Sequence, residues 1–150
     1  MDNVGIIIIA RTGSKRLNKK VLQEINGRRT IDILLDRVIS DFFPVILAIP
    51  DLPEDDILQE IGLSRGVLVY RGFNDSPLHR IAACADEFNC DYVIRITSDD
   101  ILIDLSLLIK QVKMTLGGGY DYCYMRRCPE GIAAEVIKTN ALADVVKHIG

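Results

Sequence analysis

The chain has 150 residues, of which 49% are hydrophobic and 26% charged, with a formal net charge of -3. That length suits one domain with one core, and the composition excludes disordered, collagen-like and low-complexity classes. A slightly acidic chain carries no overall field that would draw a polyanion, so nucleic acid is not an expected partner and any phosphate chemistry must rest on a local basic cluster.

Val4 to Ala10 reads VGIIIIA, a continuous β-branched run that predicts a central strand buried on both faces of a parallel sheet. Residues 11 to 20, RTGSKRLNKK, switch abruptly to a polar, basic loop. Thr30 is read as the cap of a helix carrying Ile31, Leu34, Leu35 and Val38 at helical spacing. Val45 to Ile49 reads as a strand, and Pro53, Glu54, Asp55 and Asp56 suit the first turn of a short helix bearing Ile57 and Ile61. Gly62 and Gly66 are expected to bracket a turn before a strand from Val67 to Tyr70.

Ser76 and Pro77 open a helix whose Leu78, Ile81, Ala82, Ala85 and Phe88 share one apolar face, and Tyr92 to Ile96 returns to the sheet. Asp104 or Ser106 starts a further helix, which the Gly117 to Gly119 triplet ends. Tyr122 to Met125 and Glu135 to Ile137 read as strands, and Thr139 to Ile149 as a last amphipathic helix that stops at Gly150. Alternating strands and helices indicate an α/β architecture with a mainly parallel sheet.

The four cysteines match neither a CxxC redox motif nor paired zinc knuckles. With no leader sequence at Met1, the expectation is reduced thiols and a cytoplasmic location. Val4 to Ala10 is a third of the roughly 20 residues that a membrane span needs, so no membrane association is expected. Neither His79 nor His148 has a His or Cys neighbour at ligand spacing, which argues against a histidine metal site.

Ligands of open α/β sheets bind beyond the carboxyl ends of the strands, which directs attention to the loop after the first strand. Arg11, Lys15, Arg16, Lys19 and Lys20 place five cations within ten residues, and Gly13 and Ser14 let backbone N–H groups approach a ligand. Phosphate suits such a loop, although a solvated basic turn would look the same. Neither GxxxxGK[ST] nor GxGxxG is present, so a P-loop kinase and a Rossmann dehydrogenase are disfavoured.

A second candidate is Thr97-Ser98-Asp99-Asp100, at the carboxyl end of a predicted strand. Asp99 suits a hard cation such as Mg²⁺, which takes one or two carboxylates plus substrate phosphates. The competing reading is a capped turn. Neighbouring side chains of extended backbone point oppositely, so one of Asp99 and Asp100 is expected to face the site. A third candidate is Arg71-Gly72, with Arg80 on the next helix; Arg71 suits base, ribose or phosphate, or else pairs with Asp75 on the surface.

Together these segments resemble the cytidylyltransferases that activate acidic or amino sugars, above all the spore coat polysaccharide biosynthesis branch and its 3-deoxy-manno-octulosonate and acylneuraminate relatives. Ala10-Arg11-Thr12-Gly13-Ser14-Lys15-Arg16-Leu17, running to Lys20-Val21, is similar to the family pattern A-R-x-G-S-x-R-L-P-G-K-V-L, with Asn18-Lys19 in place of Pro-Gly. Glu24-Ile25-Asn26-Gly27, Pro53-Glu54-Asp55-Asp56, Tyr70-Arg71-Gly72 and Arg95-Ile96-Thr97-Ser98-Asp99 follow in the family's order. Pro129 to Val136 is similar to P-x-G-L-D-V-E-V, with Ala133 in place of Asp, and Ser76 stands where many members carry Asp.

The resemblance implies a three-layer α/β/α nucleotide-diphospho-sugar transferase-like fold. It implies a Mg²⁺-dependent enzyme that transfers CMP from CTP to an acidic or amino sugar and releases pyrophosphate. Arg11, Lys20 and Asp99 would be catalytic, with Asp99 the metal ligand; Ala10, Thr12, Gly13, Ser14, Arg16, Arg71 and Ser98 would contact substrate. CTP and a sugar are then the expected partners, with a homodimer consistent with the family. Members normally continue past the last helix into a segment that supplies a second metal-binding Asp and dimer contacts, so residues 1–150 read as one nucleotidyltransferase-like domain without that C-terminal part. The alternative is a domain that holds a nucleotide or nucleotide-sugar without turnover. A glycosyltransferase-like domain, with Asp99 and Asp100 holding a metal-bound sugar nucleotide, is a third reading.

Overall fold

The buried run near the amino terminus forms β1 (Val4–Ile9), with Ile6, Ile7 and Ile8 wholly shielded from solvent. A computed structural model describes residues 2–13, 19–132 and 134–149. Because β1 is buried on both faces, it sits in the interior of a six-stranded sheet with β4 (Val45–Ile49), β5 (Leu68–Arg71), β6 (Tyr92–Thr97), β7 (Tyr122–Tyr124) and β8 (Glu135–Lys138) in the order β5-β4-β1-β6-β8-β7. β1 pairs parallel with β4 and with β6, Ile7 lying opposite Ile46 on one side and Arg95 on the other. β4 pairs parallel with β5, whereas β8 runs antiparallel to both β6 and β7. The mainly parallel sheet is therefore as expected, with an antiparallel edge.

Period-2 alternation divides the core. Ile6, Ile8, Leu47 and Ile94 pack with α1 (Thr30–Val38), α2 (Asp56–Ser64) and α4 (Leu105–Gly118) through Leu34, Leu58 and Leu108. Ile7, Ile46 and Val93 pack on the other face with α3 (Pro77–Glu87) and α5 (Thr139–Ile149) through Ile81, Cys84 and Leu142. Three layers, α/β/α, follow from this division.

Several local expectations are refined. Thr30 is the first residue of α1 rather than its cap, and its hydroxyl lies 3.1 Å from the Lys20 carbonyl oxygen and 2.9 Å from that of Val21. Asp104 caps α4 by accepting from the Ser106 and Leu107 N–H groups at 2.8 and 3.1 Å. Gly62 lies inside α2 rather than at a turn, because a Cβ there would stand 2.7 Å from Val69 Cγ2 where helix and sheet close together. Ile57 is exposed, and α2 buries Leu58 and Ile61 instead. A small hairpin, β2 (Glu24–Ile25) with β3 (Arg28–Arg29), was not anticipated; its Asn26-Gly27 turn has both residues at positive φ, as a tight hairpin requires. All four cysteines are free thiols, and burial pushes Cys84 up to about 12. Among the described residues no helix is long and apolar enough to cross a membrane.

Candidate active site

From β1 the chain crosses to β4 on one side of the sheet, and from β6 it proceeds to the β8–β7 side. The loops after β1 and β6 consequently diverge at adjacent carboxyl ends, which opens a crevice between them. An open cleft of about 540 Å³ lies there, with Ala10, Arg11, Lys20, Arg80, Ser98 and Asp99 among its lining.

One wall is exposed. Lys20 Nζ donates to Asp99 Oδ2 at 2.6 Å across 79 residues of sequence, with each side chain about half accessible. The Lys20 ammonium is the main cause holding the Asp99 carboxyl below its ordinary range, against the opposing effect of burial. Lys20 is placed from below: Val21 beside it is buried, and the Thr30 hydroxyl reaches the carbonyls of both residues. Asp100 takes the other role considered for this pair of carboxylates. Its Oδ2 accepts from the Thr97 hydroxyl at 2.6 Å and the Thr97 N–H at 3.2 Å, fixing the turn that presents Ser98 and Asp99.

The start of the basic loop is anchored by a buried carboxylate. Asp55 is fully buried, and its Oδ1 accepts from the Thr12 N–H at 2.7 Å and lies 2.9 Å from the Thr12 hydroxyl. That hydroxyl is also 3.1 Å from the Glu54 carbonyl oxygen, and the Lys19 N–H donates to the Thr12 carbonyl at 3.2 Å, tying the two ends of the loop together. Thr12 is thus a buried anchor, whereas Arg11 and Gly13 on either side of it are exposed. Ser14 and Arg16 lie outside the described residues.

Arg71 is not brought into this cleft. Its guanidinium donates to Asp51 Oδ1 at 3.1 Å, Asp56 Oδ1 at 2.7 Å, Gln59 Oε1 at 2.6 Å and the Leu52 carbonyl at 3.0 Å, so its partners are Asp51 and Asp56 rather than Asp75. Arg80 and Arg95 stand in the wall instead. Arg95 pairs with Glu135, its cross-strand neighbour on β8, and Tyr122 donates to the second oxygen of that carboxylate at 2.6 Å. The basic loop and Asp99 could be found from sequence because they are charged segments at strand ends. Arg80 is named from sequence only beside Arg71-Gly72, because one arginine in an amphipathic helix reads as surface, and Asp55 stands in a run of acidic residues that reads as a helix start.

The chemistry available is charge. Arg11 and Lys20 are accessible cations suited to phosphate oxygens. Among the described residues no three His, Cys, Asp or Glu side chains gather as a metal site. Asp99 offers one ionised carboxylate, which suits a cation that keeps several waters and shares its shell with substrate phosphates.

A three-layer α/β/α sheet with its cleft at the β1 and β6 carboxyl ends is the architecture of nucleotidyltransferase-fold proteins. Within that class the chain belongs to the cytidylyltransferase family, whose model matches residues 5–150. It is 33% identical over 151 residues to the spore coat polysaccharide biosynthesis protein SpsF of Bacillus subtilis (strain 168), covering 97% of this chain and 63% of that protein. The chain thus spans less than two thirds of the length of that relative. A solved cytidylyltransferase from Leptospira borgpetersenii is 28% identical with a TM-score of 0.91, over 98% of this chain and 65% of that one. The fold is shared further with a CMP:2-keto-3-deoxy-manno-octonic acid synthetase complexed with CTP, at TM-score 0.75 and 14% identity, over 97% of this chain and 78% of the other.

Proposed function

We propose that this chain binds CTP and Mg²⁺ in the β1–β6 cleft and transfers CMP to an acidic or amino sugar, with release of pyrophosphate. The observation that carries this reading is the convergence of Arg11, Lys20 and Asp99, from two distant segments, on one open cleft at adjacent parallel-strand ends. Family membership supports the nucleotidyl-transfer class, and the likeness to SpsF supports a role in polysaccharide biosynthesis.

A sugar hydroxyl oxygen attacks the α-phosphorus of CTP and gives up its proton to solvent, and the bond from that phosphorus to the bridging oxygen breaks as pyrophosphate leaves. Negative charge grows on the departing oxygens, and the accessible cations Arg11 and Lys20 neutralise it. Asp99 would hold Mg²⁺, which when bound supplies positive charge against the phosphate oxygens. Lys20, now paired with Asp99, would trade that partner for phosphate, which would leave the Asp99 carboxylate free to hold the cation. Ala10 and Ser98, at the ends of β1 and β6, border the same space.

The test is pyrophosphate release from CTP by the purified chain with a panel of acidic and amino sugars, alongside Lys20→Ala and Asp99→Asn. Sugar-dependent release by the parent, and its loss in both variants, is expected. Release that persists in folded Asp99→Asn would remove Asp99 from the site.

A further inference from the structure

We propose that Arg80 is a nucleotide-binding residue of this cleft, whose free Nη1 group donates to an acceptor oxygen of the bound nucleotide. This rests on the nucleotide reading above and adds a residue to it.

Arg80 is the largest fully buried side chain among the described residues, with 1% of its surface accessible, and it still contributes to the cleft wall. Its guanidinium is held on one side only. Nε donates to the Gly72 carbonyl at 2.8 Å, and Nη2 donates to the carbonyls of Phe73 at 2.7 Å and Asn74 at 3.1 Å. Nη1 is buried and has no partner among the described residues. Among the described residues no carboxylate is in ion-pair contact with Arg80; Asp55 acts on it electrostatically while its Oδ1 is spent on Thr12.

A buried guanidinium with unused donors is costly, because it has given up water without regaining hydrogen bonds or a counter-charge. Burial pulls its pKa below the ordinary arginine range, and the charge of Arg11 works in the same direction against Asp55. Two cations thus act on each other at one cleft. The three carbonyl bonds fix the fork in place, so the donor is preorganised rather than recruited when a ligand arrives. Electron-rich oxygen on the occupant of the cleft would complete its hydrogen bonding and its charge together. The phosphates of a nucleotide and the carbonyl or hydroxyl oxygens of its base and ribose share this chemistry.

The deciding experiment is calorimetric titration of the parent, Arg80→Lys and Arg80→Ala with CTP and with cytidine, in Mg²⁺, after circular dichroism has established folding. A hydrogen bond from a charged donor implies that CTP affinity falls about 10- to 100-fold in both variants. An equal fall for cytidine would assign the acceptor to base or ribose, and a fall for CTP alone would assign it to phosphate. Unchanged CTP affinity in the folded variants overturns the role of Arg80 and leaves the nucleotide reading intact. No binding by the parent removes both. Where the variants fail to fold, the crystal structure of the parent with CTP decides: Nη1 within hydrogen-bonding distance of a nucleotide oxygen supports the proposal, and Nη1 bonded only to water or protein overturns it.

Discussion

The two walls of the cleft are built on opposite terms. On one, Lys20 and Asp99 form an ion pair whose side chains are each about half exposed. On the other stands Arg80, wholly buried like Asp55, the anchor of Thr12; each has one polar atom that has no partner among the described residues. Exposed charge in high dielectric is weakly bound and exchanges partners readily, whereas buried charge is fixed by its hydrogen bonds and expensive to disturb. The exposed wall is therefore suited to trading its internal pair for ligands, and the buried wall to holding the backbone of residues 12 and 72–74 in place.

That contrast can be broken most severely at Asp55. Asp55→Ala removes the acceptor of the Thr12 N–H and a carboxylate that acts electrostatically on Arg80, so a loss of about 3 kcal/mol of unfolding free energy is expected. Urea denaturation reads this directly, and an unchanged midpoint would mean that the buried wall holds nothing. Lys20→Ala should do the reverse. It is expected to cost about 2 kcal/mol in CTP binding by calorimetry through a lost charged contact, and less than about 1 kcal/mol in stability. A variant that unfolds readily yet binds CTP normally would reverse the assignment.

Arg71→Ala sharpens the contrast from outside the cleft. Its four hydrogen bonds tie β5 to α2 and to the segment before it, so a stability loss of about 1 kcal/mol with unchanged CTP affinity is expected, and weakened binding would return Arg71 to the site. The smallest effect is on titration. Asp99 has a folded pKa below its ordinary 3.8, so the stability it contributes is present above that value and is lost as pH falls through the folded one. Lys20→Ala should move the Asp99 titration upward in carboxyl NMR, and an unmoved titration would show that Lys20 is not its cause.

Most of the architecture was legible because burial imposes periodicity: VGIIIIA could only be a central strand, and each amphipathic helix showed one apolar face. Legibility of the site followed exposure. Lys20 and Asp99 stand in polar segments at strand ends, where charge is conspicuous, although nothing in the spacing says that they touch. Asp100 looked equivalent to Asp99 and is distinguished by two hydrogen bonds from Thr97. Arg71 and Arg80 are nine residues apart, and sequence favoured the one after a strand; the fold gives the first to Asp51 and Asp56 and the second to the cleft. The β2–β3 hairpin was announced by Asn26-Gly27, but strands of two residues each leave no alternation to read. The Gly62 position depended on a helix–sheet distance that no local pattern encodes.

The central claim, that the β1–β6 cleft is a metal-assisted CTP site, is tested most directly by calorimetric titration of the folded chain with CTP, ATP, GTP and UTP, each with Mg²⁺ and with chelator. Selective binding of CTP that weakens when Mg²⁺ is removed is the predicted result. Binding of no nucleotide by the folded chain, or CTP binding indifferent to Mg²⁺ and to base, would contradict it.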